Sequence, residues 1–89
     1  MDYSETEEGK LFLKLKNDCL DEMTKSISGL TEHEINNQTI ALIRKYNKLW
    51  NTKAKQNTNL KKDGFKEVIK NWFIKSEMHD SLKAALKYL

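Results

Sequence analysis

Apolar positions along this chain recur at helical spacing. Phe12, Leu15, Cys19, Met23 and Ile27 follow one another at intervals of three and four, which places them on one face of a first helix. Ser4 followed three residues later by Glu7 fits a capping box, so this helix is expected to start near Glu5. Gly9 weakens that start and moves the ordered part toward Lys10, and Gly29 supplies the left-handed residue that ends the helix. Thr31 and Glu34 form a second capping box, with Leu30 and Ile35 at the positions of a hydrophobic staple. From there Ile35, Thr39, Leu42, Ile43, Tyr46, Leu49 and Trp50 make an apolar stripe, while Arg44, Lys45 and Lys48 take the outer face.

Residues 51–59, NTKAKQNTN, hold no aliphatic side chain larger than alanine and are expected to form a loop or a frayed helix end. Asn59 or Asp63 can cap a third helix whose buried face would be Phe65, Val68, Ile69, Trp72 and Phe73. Ser76 offers a last cap, and Met78, Leu82, Ala85, Leu86 and Leu89 then make a fourth stripe. Without that cap the third and fourth helices would be continuous. The pattern predicts an all-α fold, a compact bundle of about four helices, with residues 10–28 packed across the later three and Trp50 and Trp72 anchoring the core. On this reading Trp72→Ala costs about 3 to 5 kcal/mol.

Composition agrees with the pattern. The chain has no proline, three glycines and one valine, which is the punctuation of a helical protein and leaves little material for strands. Its 89 residues make one domain, read as an acidic N-terminal arm over 1–9 and a single helical domain over 10–89. With 38% hydrophobic and 33% charged residues the chain is neither disordered nor membrane-embedded by composition. The acidic start (Asp2, Glu5, Glu7, Glu8) is unlike a secretory signal, so the expected location is intracellular, cytoplasmic or nuclear. Cys19 has no partner cysteine in the chain and falls on an apolar face, as a buried structural thiol would.

Charge changes the picture more. Residues 1–37 set four lysines against nine acids, a balance of −5, and residues 38–89 set twelve basic groups against four acids, a balance of +8. A basic half of this density suggests a polyanionic partner, nucleic acid, or an acidic protein surface. Lys53, Lys55, Lys61 and Lys62 surround the expected loop, where phosphate neutralisation and counterion release can drive association.

Catalytic chemistry has no comparable signal. His33 and His79 are the only histidines, and neither stands near a cysteine or carboxylate at a metal-site spacing. No glycine-rich phosphate loop and no nucleophile with a base can be singled out. The chain is expected to be non-enzymatic, with no cofactor, no metal and no membrane partner.

From Leu42 to Ile69 the sequence resembles the MADF family, Myb/SANT-like DNA-binding domains of three helices. The residues that carry the likeness are Leu42-Ile43, Tyr46, Leu49-Trp50-Asn51, the polar loop through Lys53, Lys55, Asn57 and Asn59, and Phe65 with Val68-Ile69. The resemblance implies DNA binding mainly through the third family helix, which corresponds to Ser76–Leu89 and makes Lys83 and Lys87 the DNA-facing residues; some members bind proteins instead. It extends over the basic part, residues 39–89. Two functions follow as expectations. One is a small DNA-binding or regulatory protein whose basic half contacts phosphate. The other is a small helical protein-interaction module, such as a phage- or plasmid-type regulator or inhibitor, whose oppositely charged halves would meet in a homodimer.

Overall fold

The computed structural model describes residues 3–76 and 80–89. After a short 3-10 turn at Tyr3–Glu5 come four helices: α1 (Glu7–Ser26), α2 (Glu32–Gln56), α3 (Gly64–Lys75) and α4 (Asp80–Leu86). There is no strand among the described residues, and the all-α expectation stands. With 25 residues, α2 is about 37 Å long, close to the 39 Å long axis of the molecule. It is the spine on which the other three helices pack.

Cross-chain bonds give the directions. The start of α1 meets the end of α2, where Asn57 Nδ2 donates to Glu7 at 2.8 Å. Further along, Lys45 Nζ donates to Glu22 at 2.9 Å, so α1 and α2 run antiparallel. The start of α3 meets the later turns of α2 through Asn47 Oδ1, which accepts the Lys66 N–H at 3.2 Å. The start of α4 meets the start of α2, with Asn36 Nδ2 donating to Ser81 Oγ at 3.1 Å and Ser81 Oγ donating to Glu32 at 2.6 Å.

Apart from Leu49, which belongs to the α2 stripe but is 47% exposed, the core follows the stripes with two exceptions. Phe12, Leu15, Cys19, Leu42, Ile43, Tyr46, Trp50, Phe65, Ile69, Phe73, Leu82 and Leu86 are buried as their spacing predicts. Aromatic rings join three helices, with Phe12 and Phe65 at 5.7 Å and Tyr46 and Phe65 at 6.5 Å between centroids. Trp72 is the first exception. It is 38% exposed, stacked edge-on to Phe73 at 5.1 Å and covered by Lys16, whose ammonium lies 4.6 Å from the ring. It shields the core and does not anchor it. Leu60 is the second exception, buried from a connecting segment that its neighbours mark as polar.

Boundaries show where local chemistry won. Thr31 and Glu34 form the predicted capping box, with Glu34 N–H donating to Thr31 Oγ1 and Thr31 N–H to Glu34 Oε1 at 3.2 Å each. The Thr31 N–H, and then the Thr31 hydroxyl donating to the same Oε1 at 2.9 Å, hold the Glu34 carboxyl below its ordinary range. Gly29 adopts φ +78°, the left-handed turn that separates α1 from α2. At the first helix, Thr6 and not Ser4 is the cap, accepting from the Gly9 N–H at 2.9 Å and donating to the Tyr3 carbonyl at 2.7 Å. One first-turn amide, that of Gly9, is thereby satisfied, two residues later than the expected cap would place it. Gly9 lies inside α1, where a Cβ would sit 1.8 Å from the Tyr3 carbonyl oxygen and only glycine fits. Residues 7–9 of the expected acidic arm are therefore helical. The break between α3 and α4 is present, with Ser76 extended (ψ 164°) and its hydroxyl donating to the Phe73 carbonyl at 2.7 Å. Met78 and His79 lie outside the described residues.

The largest departure is the end of α2. Residues 51–56, expected to be a loop or a frayed helix end, continue the regular helix, and Asn57 ends it in an extended conformation. Asparagine disfavours helix interiors because its side chain competes for backbone groups. Asn51 does not compete here, since both its polar atoms are taken by Asp63.

Cys19 is fully buried and unpaired. Burial, with Glu22 close by, pushes its thiol up to about 11, which leaves it without thiolate character at neutral pH.

Candidate nucleic-acid interface

Extending α2 to Gln56 changes where its lysines point. Lys48 and Lys55 are seven residues apart on one helix, two turns along the same face. The connection from Asn57 to Asp63 then folds back beside that face. It is built from consecutive turns: Asn59 N–H donates to Asn57 Oδ1 at 3.0 Å, Leu60 N–H to the Asn57 carbonyl at 3.1 Å and Gly64 N–H to the Lys61 carbonyl at 3.0 Å. Leu60 plugs it into the core, and the Trp50 indole N–H donates to the Lys61 carbonyl at 2.7 Å. The backbone on either side of Lys62 is thus pinned.

Behind Lys62 lies a polar latch. Asp63 Oδ1 accepts from Asn47 Nδ2 and Asn51 Nδ2, each at 2.8 Å, and the Asp63 N–H donates to Asn51 Oδ1 at 2.8 Å. Asp63 occupies the N-cap position of α3, as the spacing predicts, but in the left-handed region (φ 59°) and with no side-chain cap bond. Its carboxylate faces α2 instead. The Asn51 and then the Asn47 hydrogen bond hold that carboxyl below its ordinary range, and Lys66 and Lys62 add to the effect.

A depressed carboxyl stabilises the fold above its unfolded pKa, and that contribution disappears as pH falls through the folded value. Stability is therefore expected to drop as pH falls below about 4. Asp63→Asn keeps a side chain that tolerates the left-handed conformation and removes the titrating group. Its urea midpoint should fall less than the wild type's between pH 5 and pH 3. Equal falls would place the acid sensitivity elsewhere, for example at Glu22, which the Tyr46 hydroxyl and then Lys45 hold down.

Between the last turns of α2 and the connection is an open cleft of about 630 Å³. Lys48, Lys55 and Lys62 stand around it, Leu60 forms part of its floor, and no acidic residue lines it. A smaller groove of about 390 Å³ lies on the other side of Leu60 and carries Lys10 and Lys53, but also Glu7. The connection is thus a ridge with a purely cationic side and a mixed one.

The six lysines singled out from the sequence are accordingly divided. Lys55 and Lys62 share the cationic cleft. Lys53 turns to the mixed groove, and Lys61 lies 3.5 Å from Glu67 in an exposed pair. Lys83 and Lys87 belong to the opposite end of the spine. Lys83 is two residues past Ser81, which bonds Asn36, and Lys53 is about 25 Å further along α2 from Asn36. Lys48 is the residue that sequence reasoning missed, because a helix ending near Trp50 leaves it on an outer face with nothing opposite. Its spacing of seven to Lys55 is the signal that would have found it.

Part of the charge division is neutralised within the molecule. Glu22 pairs with Lys45 at 2.9 Å across the two halves, and it also accepts from the uncharged Tyr46 hydroxyl. His33 is exposed, with its Nε2 3.3 Å from Asn37 Nδ2. Among the described residues no three histidine, cysteine or acidic side chains gather where they could hold a metal ion, and no helix is long and apolar enough to cross a membrane. Comparison of the chain with protein-family models, curated proteins and solved structures finds no match.

Proposed function

We propose that this is a small, non-enzymatic nucleic-acid-binding protein that takes backbone phosphate in the cleft between α2 and the α2–α3 connection. The observation that carries the reading is the convergence of Lys48, Lys55 and Lys62 on one open, acid-free surface. Three ammonium groups from two chain segments, held by a pinned backbone, neutralise phosphates without losing much backbone freedom on binding. The resemblance between Leu42 and Ile69 and the MADF family favours the same class of partner, although the proposed contact lies at the α2–α3 end and not on α4.

A salt titration with duplex DNA tests this. Three neutralised phosphates give a slope of about −2.7 in log affinity against log salt, so affinity should fall about 40-fold between 50 and 200 mM. Absence of binding at low salt would end the proposal.

One feature favours a second reading, a helical protein-interaction module. Leu49, Trp72 and Ile74 are large apolar side chains left 47%, 38% and 39% exposed. Light scattering over a dilution series at the same salts separates the two: a dimer that persists at high salt supports an apolar protein contact, and a monomer throughout removes self-association.

A further inference from the structure

We infer that the cleft is a reader of duplex phosphate alone, making no contact that distinguishes one base from another; this rests on the nucleic-acid reading above. The polar side chains lining the cleft are Asn51, Thr52 and the three lysines. Asn51 is the side chain there that could pair with a base edge, as asparagine does with adenine. Its amide nitrogen donates to Asp63 Oδ1 and its oxygen accepts the Asp63 N–H, each at 2.8 Å, so the donor–acceptor edge that would pair with adenine is spent on the latch, and only a second N–H and a second lone pair are left over. The Thr52 hydroxyl proton is spent on the Lys48 carbonyl at 3.0 Å, so that hydroxyl has no donor left for a base or a phosphate. The ammonium groups of Lys48, Lys55 and Lys62 are what remains. Lysine presents a point charge without the planar fork that reads guanine, and the chain's one arginine, Arg44, does not line the cleft.

Single strands are held chiefly by stacking bases on aromatic rings. No aromatic side chain lines this cleft. Trp50 is fully buried beside it with its N–H spent on the Lys61 carbonyl, and Tyr46 is buried with its hydroxyl on Glu22. The face of Trp72, the exposed tryptophan, carries Lys16. An ammonium-only cleft with no stacking platform favours the form with the denser phosphate charge. A duplex has about one charge per 1.7 Å against one per 3.4 Å for a single strand. With slopes of about −0.9 and −0.7 per phosphate, three contacts favour the duplex about six-fold at 50 mM salt relative to 1 M.

Fluorescence anisotropy at 50 mM salt tests the inference with four probes: a 16-base-pair duplex of mixed sequence, an A·T-only and a G·C-only duplex of that length, and a 16-residue oligo-dT strand. The expected result is duplex binding about six-fold tighter than oligo-dT, with the three duplexes within about two-fold of one another. Oligo-dT binding as tightly as duplex, or a preference above about ten-fold among the duplexes, overturns the inference while leaving nucleic-acid binding intact. Binding to none of the four ends both. Lys55→Gln, exposed and away from the core, should weaken all duplexes by the same factor; a loss confined to one sequence also overturns the inference.

Discussion

Replacing Trp50 with alanine is expected to lower the free energy of unfolding by about 3 to 5 kcal/mol or more, the range for large aromatic truncations in packed cores. Trp50 is fully buried, and three separate features close around it. Its indole N–H satisfies the Lys61 carbonyl. Gly64 packs so tightly on the ring that a Cβ there would lie 2.8 Å from Cζ2. The ring also belongs to the same buried cluster as Leu60, the plug of the α2–α3 connection. Removing it opens a cavity and takes from the Lys61 carbonyl one of its two donors, leaving the Gly64 N–H. Trp72→Ala, by contrast, should cost about 1 kcal/mol, since a partly exposed ring loses modest burial and one cation–π contact. Urea denaturation of the two variants decides this. If Trp72→Ala is as damaging as Trp50→Ala, the ring contributes to the core in a way its exposure does not explain. Trp50→Phe separates volume from hydrogen bonding: it keeps most of the ring and should still lose about 0.5 to 1.5 kcal/mol through the missing bond to the Lys61 carbonyl, which keeps the Gly64 N–H.

The largest effect on binding is expected from the triple variant Lys48→Gln, Lys55→Gln and Lys62→Gln. If each lysine neutralises one phosphate, removing all three lowers duplex affinity at 50 mM salt by about 10³-fold and flattens the salt dependence toward zero. All three side chains are exposed, so the fold should be unaffected, which circular dichroism and the urea midpoint will verify. The paired control is Lys83→Gln with Lys87→Gln. Those residues lie at the other end of α2, and their removal should change affinity by less than about three-fold through long-range field alone. The family resemblance carried onto Ser76–Leu89 predicts the reverse ranking. A greater loss from the α4 pair would move the interface to that helix and remove the cleft from the account.

Periodicity and capping determined the helices of this protein, because both are local. Side chains three and four residues apart share a face whatever surrounds them, and Thr31 with Glu34 satisfies its own amides within one turn. Hence the all-α class, the start of α2, the turn at Gly29 and most of the core could be read directly. Tertiary structure decided matters that depend on a second chain segment. Whether residues 51–56 continue α2 turns on Asp63 occupying the side chain of Asn51, a partner twelve positions away that no local propensity contains. Which tryptophan is buried turns on whether a partner closes over it: Gly64 and Lys61 close over Trp50, and a single lysine tops Trp72. The candidate interface depends on both. Lysines 48 and 55 converge only when the helix is long enough to align them, and Lys62 joins them only because Leu60 and the asparagine latch fold the connection back along α2. Charge composition pointed to a polyanion, but where the charges meet is a property of packing, since a lysine's position in sequence says nothing about the segment it faces.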